Sequence, residues 1–97
     1  MGVRLGSRVY SDIESAMGYY LCEAGAKFGT EFYEEFKRCR VIVAERPQSY
    51  PIVRDDIRRI NFRRFPFHIL YQIVDDGYVK LLVVKHDSRD PDFGLDR

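Results

Sequence analysis

The hydrophobic period of this chain changes once, and that change limits its fold more than any other feature. From Arg8 to just before Pro47, apolar residues recur at steps of three and four; from Ile57 to His86 they alternate. The first pattern lines one face of a helix and the second lines one face of a strand. A chain that carries both in this order lays helices against a sheet. Val9, Ile13, Met17 (or Ala16), Tyr20, Leu21 and Ala24 mark the inner face of a first helix, with Ser7 as a candidate N-cap. Gly25 supplies the residue that ends such a helix. A second helix follows at once, with Phe28, Phe32, Phe36, Cys39 and Val43 on one stripe. So short a gap makes an antiparallel helical hairpin.

Pro47 stops the second helix, and Gln48-Ser49-Tyr50-Pro51 reads as a turn. Strands are expected over Ile57–Arg64, Phe67–Val74 and Tyr78–His86, the last two joined by Asp75-Asp76-Gly77. Val3 to Gly6 adds a short edge strand. The expected architecture is α+β: a helical hairpin on one face of a three- to four-stranded antiparallel sheet, in the order β-α-α-β-β-β. The other sheet face stays open, and residues 87–97 form an irregular tail. At 97 residues the chain has material for one core, so residues 1–97 are read as one domain.

Sixteen basic and fifteen acidic residues leave a net charge of +1, which excludes a protein that lives by bulk attraction to nucleic acid or anionic membrane. No apolar run approaches the roughly 18–20 residues of a membrane helix, and the start lacks a signal-peptide core, so a cytoplasmic location is expected. Cys22 and Cys39 fall at different heights on the two helices, beyond disulfide reach, and read as small buried hydrophobes. No Cys or His pair has zinc-ligand spacing; neither metal nor cofactor is expected.

Against that near-neutral background, Arg54, Arg58, Arg59, Arg63 and Arg64 place five guanidiniums within eleven residues. Such side chains bind phosphates or an acidic partner surface; on an edge strand they also deter sheet-to-sheet pairing. His68 has the chemistry of a general base, or simply flanks Pro66-Phe67. His86 with Arg89 offers an acid beside a phosphate anchor, and Asp87 or Asp90 would orient His86 or pair with Arg89. Most Phe and Tyr residues sit at core spacing; Tyr50, Tyr78 and Phe93 do not.

Asp12-Ile13, Tyr19-Tyr20, Gly29, Phe32, Phe36, Pro47, Tyr50-Pro51, Arg63-Arg64-Phe65-Pro66-Phe67, Ile69-Leu70-Tyr71 and His86-x-x-Arg89-Asp90-Pro91 follow one another in a fixed order over about eighty residues. In that order and spacing the chain resembles the RelE/ParE superfamily of bacterial toxins, the plasmid-stabilisation proteins. The resemblance implies the toxin of a type II toxin–antitoxin module, held inactive by a small, DNA-binding antitoxin in a hetero-oligomer. Two activities occur in that superfamily. ParE-like members bind DNA gyrase, whereas RelE-like members are metal-independent endoribonucleases that cut messenger RNA on the ribosome from the open sheet face. A ribonuclease reading would use Arg63, His68, His86 and Arg89 for catalysis, with Arg58, Arg59 and Arg64 binding phosphate or partner. This chain has His68 where such ribonucleases carry an arginine, and Phe93 near their tyrosine. Gyrase binding is therefore the leading expectation; ribonuclease action and a disarmed toxin that only binds its antitoxin are the alternatives.

Overall fold

The computed structural model describes residues 1–74 and 77–96. Strand β1 (Gly2–Leu5) is followed by helices α1 (Val9–Ala24) and α2 (Ala26–Glu45), then β2 (Ile52–Arg54), β3 (Ile57–Asn61), β4 (Phe67–Val74) and β5 (Tyr78–His86). The strands form one five-stranded sheet in the order β1-β5-β4-β3-β2. The expected hairpin on a sheet is present, but the sheet has five strands and is mixed. β1 runs parallel to β5, while the other neighbours are antiparallel. The added strand, β2, is only three residues long, too short to show a period between Pro51 and Asp55.

Gly25 serves both helices. Its N–H donates to the Leu21 carbonyl at 3.2 Å and its own carbonyl accepts from Phe28 N–H at 3.1 Å. Its backbone stands at φ 96° and ψ 169°, a region nearly confined to glycine. Ser7 is not the N-cap of α1; Arg8 holds that place without a side-chain bond, and the Gly6 carbonyl receives the Val9 N–H at 3.1 Å.

The helices bury Val9, Ile13, Ala16, Phe32, Phe36, Cys39 and Val43 against Ile60, Ile69, Tyr71, Val79, Leu81 and Val84 of the sheet. Phe32 sits at the centre of an aromatic cluster, with its ring centroid 4.9–5.7 Å from those of Tyr20, Phe62, Phe65 and Phe67. Three residues expected inside are outside: Leu21, Ala24 and Phe28 belong to the hairpin tip, residues 21–28, which is exposed throughout. Cys22 is exposed there too, whereas Cys39 is buried and its thiol is pushed up to about 11 by burial; both are free.

β3 stops at Asn61 rather than Arg64 because Phe62 and Phe65 turn inward against Phe32, and the chain closes with Phe62 N–H on the Phe67 carbonyl at 2.9 Å. Asp75 and Asp76 of the expected hairpin turn lie outside the described residues; Gly77 donates to the Val74 carbonyl at 3.0 Å, and Val74 pairs with Tyr78. β4 and β5 shift register between Leu70↔Val83 and Tyr71↔Leu81, so Leu82 is one extra residue, a β-bulge. The bulge reverses which residues of β5 face the helices: Val79, Leu81 and then Val84 do, while Val83 and Lys85 face away.

Candidate functional site

The sheet face turned from the helices was expected to be open, and it is covered. Residues 87–96 fold back across it. The Lys85 ammonium, on a residue only 3% exposed, donates to the carbonyls of Asp90 (3.2 Å), Pro91 (2.9 Å) and Phe93 (3.3 Å). Gly94, at φ +82°, lies so close to Val83 that a Cβ would meet its Cγ2 at 2.7 Å. Arg54 at the far edge pairs with Asp92. Leu70, Val83 and His68, which alternation points to this face, are consequently buried.

His68 belongs to a polar group beneath this covering. Its Nδ1 lies 2.7 Å from an Asp87 carboxylate oxygen, which also accepts from the Arg59 guanidinium at 3.4 Å. Arg59 Nε donates in addition to the Asn61 side chain at 2.7 Å. Burial lowers the His68 pKa; the Asp87 hydrogen bond opposes that, and the Arg59 and Lys85 charges reinforce it. The lowered pKa favours the neutral imidazole, whose Nδ1–H then donates to the Asp87 carboxylate and leaves the lone pair on Nε2. Asp87 thus orients His68, not His86. Burial also lowers the Lys85 pKa, against the attraction of Asp90 and Asp92.

His86 lies on the opposite sheet face, because it pairs with Phe67 while Lys85 pairs with His68. Its ring packs edge-on to Phe67 at 5.2 Å. Ser88 N–H donates to its Nδ1 at 3.0 Å. A cleft of about 380 Å³ between α1 and the end of β5 is lined by His86, Arg89, Phe93, Ser11, Ser15 and Tyr19, among others. Arg89 stands over the Phe93 ring at 4.7 Å. From α1, Asp12 accepts the Val84 N–H at 3.1 Å, holding β5 just past the bulge.

The remaining arginines point elsewhere. Arg58 donates to the carbonyls of Tyr50 (2.7 Å) and Gln48 (3.2 Å) and ties the 47–50 turn to β3. Arg63 and Arg64 sit against α2: the Arg63 N–H bonds the Glu35 carboxylate, which also pairs with Arg38, and Arg64 reaches Glu31 at 3.5 Å. Burial alone would raise the Glu35 pKa, but the Arg38 and Arg63 hydrogen bonds bring it below the usual carboxylate value. Arg63 therefore lies apart from the other three, and His68 and His86 line different clefts, each of which Arg89 also lines. Sequence reasoning passed over Lys85 because regular alternation would have put it on the face of Val79 and Leu81.

The fold has solved counterparts. The structure is similar to a chain of the chromosomal ParDE toxin–antitoxin system from P. aeruginosa, with TM-score 0.75 and 13% identity over 89% of this chain and 95% of that one. It is similar to a chain of the intact E. coli RelBE toxin–antitoxin complex (TM-score 0.63, 18% identity, 91% and 98% coverage). The isolated E. coli RelE toxin also matches (TM-score 0.62, 17% identity, 98% and 93% coverage). At these identities the likeness is one of architecture: the chain has the RelE/ParE toxin fold. No protein-family model matches the sequence, and no curated protein is significantly similar to it. Among the described residues, no helix is long and apolar enough to cross a membrane.

Proposed function

We propose that this chain is the toxin of a two-component toxin–antitoxin module and arrests growth by binding DNA gyrase rather than by cutting RNA. The observation that carries this reading is the saturation of the sheet face under residues 87–96. A metal-free ribonuclease needs a base, an acid and a cation arranged around one phosphate. Here Lys85 spends its three protons on backbone carbonyls, Arg59 is engaged by Asn61 and Asp87, and His68 is buried. The exposed apolar side chains Tyr19, Leu21 and Phe28 near the hairpin tip suit recognition of a protein surface instead. The neighbours solved with antitoxins, ParDE and RelBE, support an antitoxin as the partner that neutralises it.

The second reading, a ribosome-dependent ribonuclease, draws on His86 and Arg89 sharing one cleft. Induced expression in a bacterium without antitoxin separates the two. Growth arrest with intact message 5′ ends and altered plasmid supercoiling is the expected outcome. Cuts inside translated codons that vanish when translation is blocked would replace it with the ribonuclease reading, and healthy cells would indicate a disarmed toxin.

A further inference from the structure

The tip of the helical hairpin carries two charges on the wrong ends of their helices. Glu23 lies in the last turn of α1, at the negative end of that helix's dipole, and Lys27 lies in the first turn of α2, at the positive end. The last turn of α1 holds no basic residue and the first turn of α2 no acidic one. Among the described residues, neither Glu23 nor Lys27 comes within ion-pair distance of an opposite charge. In a single copy of the chain both charges work against the helices, and nothing in that copy offsets them.

The two positions are symmetric about Gly25, which lies midway between them in the chain. A two-fold axis at Gly25 lays α1 of one copy beside α2 of a second. Glu23 of each copy then faces Lys27 of the other. Each charge thereby reaches a helix end that favours it, the carboxylate the amino end of the second copy's α2 and the ammonium the carboxyl end of its α1. The same operation sets Leu21 and Phe28, 54% and 40% exposed, against each other across the axis. Ala24, Gly25 and Ala26 at the apex carry no long side chain to hold the copies apart. The tip is thus complementary to itself in charge, dipole and apolar surface.

We propose that two copies of this chain associate through their hairpin tips about a two-fold axis at Gly25, with Glu23 of each copy on Lys27 of the other and Leu21 and Phe28 packed between. Two such tips bury less than a standard interface of roughly 1,200 Å² or more, so the dimer dissociates at about 10–100 µM. The dimer rests on the tip alone. Only its consequence, that the side chains assigned to the target stay covered until dilution frees them, rests on the growth-arrest reading.

The test is sedimentation velocity on full-length chains, at concentrations about tenfold either side of that constant. Glu23→Lys and Lys27→Glu each set like charges face to face and should weaken the dimer at least about tenfold. Both positions are exposed and both changes suit the local helix dipole, so neither variant should melt below the unaltered chain. Mixing the two variants restores both pairs, and the mixture should dimerise within about threefold of the unaltered chain. Leu21→Gln, also at an exposed position, should weaken the dimer with the charges intact. A chain that stays monomeric throughout would overturn the proposal and leave the tip to a different protein. Dimers indifferent to both charge reversals would overturn it as well. So would a mixture of Lys27→Glu with Glu14→Lys, a reversal elsewhere on α1, that dimerises as tightly as the matched pair, since that marks general charge attraction.

Discussion

Tyr71 is fully buried, and its hydroxyl donates to the Pro47 carbonyl at 2.8 Å, with the phenol pushed up to about 12 by burial. One side chain thereby packs the core and fixes where the chain leaves α2. Tyr71→Phe should cost about 1 kcal/mol, read as a lower urea midpoint at unchanged m-value. His68 predicts a pH effect whose sign follows from its lowered pKa. The unfolded chain takes up a proton near pH 6.5 while folded His68 resists it, so stability is full above that value and falls as pH drops toward the folded pKa. Glu35 adds a separate loss at lower pH, since its folded pKa lies beneath the carboxylate value. Urea midpoints measured from pH 7.5 to 5 should decline, and His68→Gln should flatten that decline; a flat profile in the unaltered chain would contradict the buried neutral imidazole.

At the scale of elements, the caps and the bulge carry more of the architecture than propensity does. Gly25→Ala has free space for its Cβ, so its cost is backbone strain alone, about 1–3 kcal/mol, again measured in urea. Asp12→Ala should cost about 1–3 kcal/mol by leaving the buried Val84 N–H without its carboxylate, and amide exchange at Val84 would rise in parallel. Both helices and β4 were legible in the sequence because their inner residues keep one period from end to end, and β5 because its apolar run is bounded by Gly77 and Asp87. β2 was not, since three residues hold no period, and neither was the hairpin tip, where Leu21 and Phe28 keep the helical stripe but meet no strand. Leu82 is invisible to pattern reading for a related reason: a run of apolar residues from Leu81 to Val84 looks the same with or without a bulge.

For the whole molecule, the sequence showed the polar residues of the candidate site but not their grouping. Contacts such as Lys85 with Phe93, Arg54 with Asp92 and His68 with Asp87 depend on a segment with no period folding back over a face that alternation alone leaves bare. Exposed apolar residues at the tip give a prediction at this scale. The free protein should self-associate weakly, and on the proposed reading an added antitoxin should raise its melting temperature as the antitoxin concentration rises; identical melting with and without it would remove the partner from that reading. The bulge carries a last consequence, concerning the order of synthesis. A β5 laid straight on β4, without the bulge, would push Lys85 under the helices. Only residues 90–96 supply the carbonyls that reward the bulged alignment, and they leave the ribosome after β5 does. Residues 90–96 thus secure a strand already made, and in nascent chains halted at Ser88 the Asp12 bond to Val84 is the first hold on the bulged alignment.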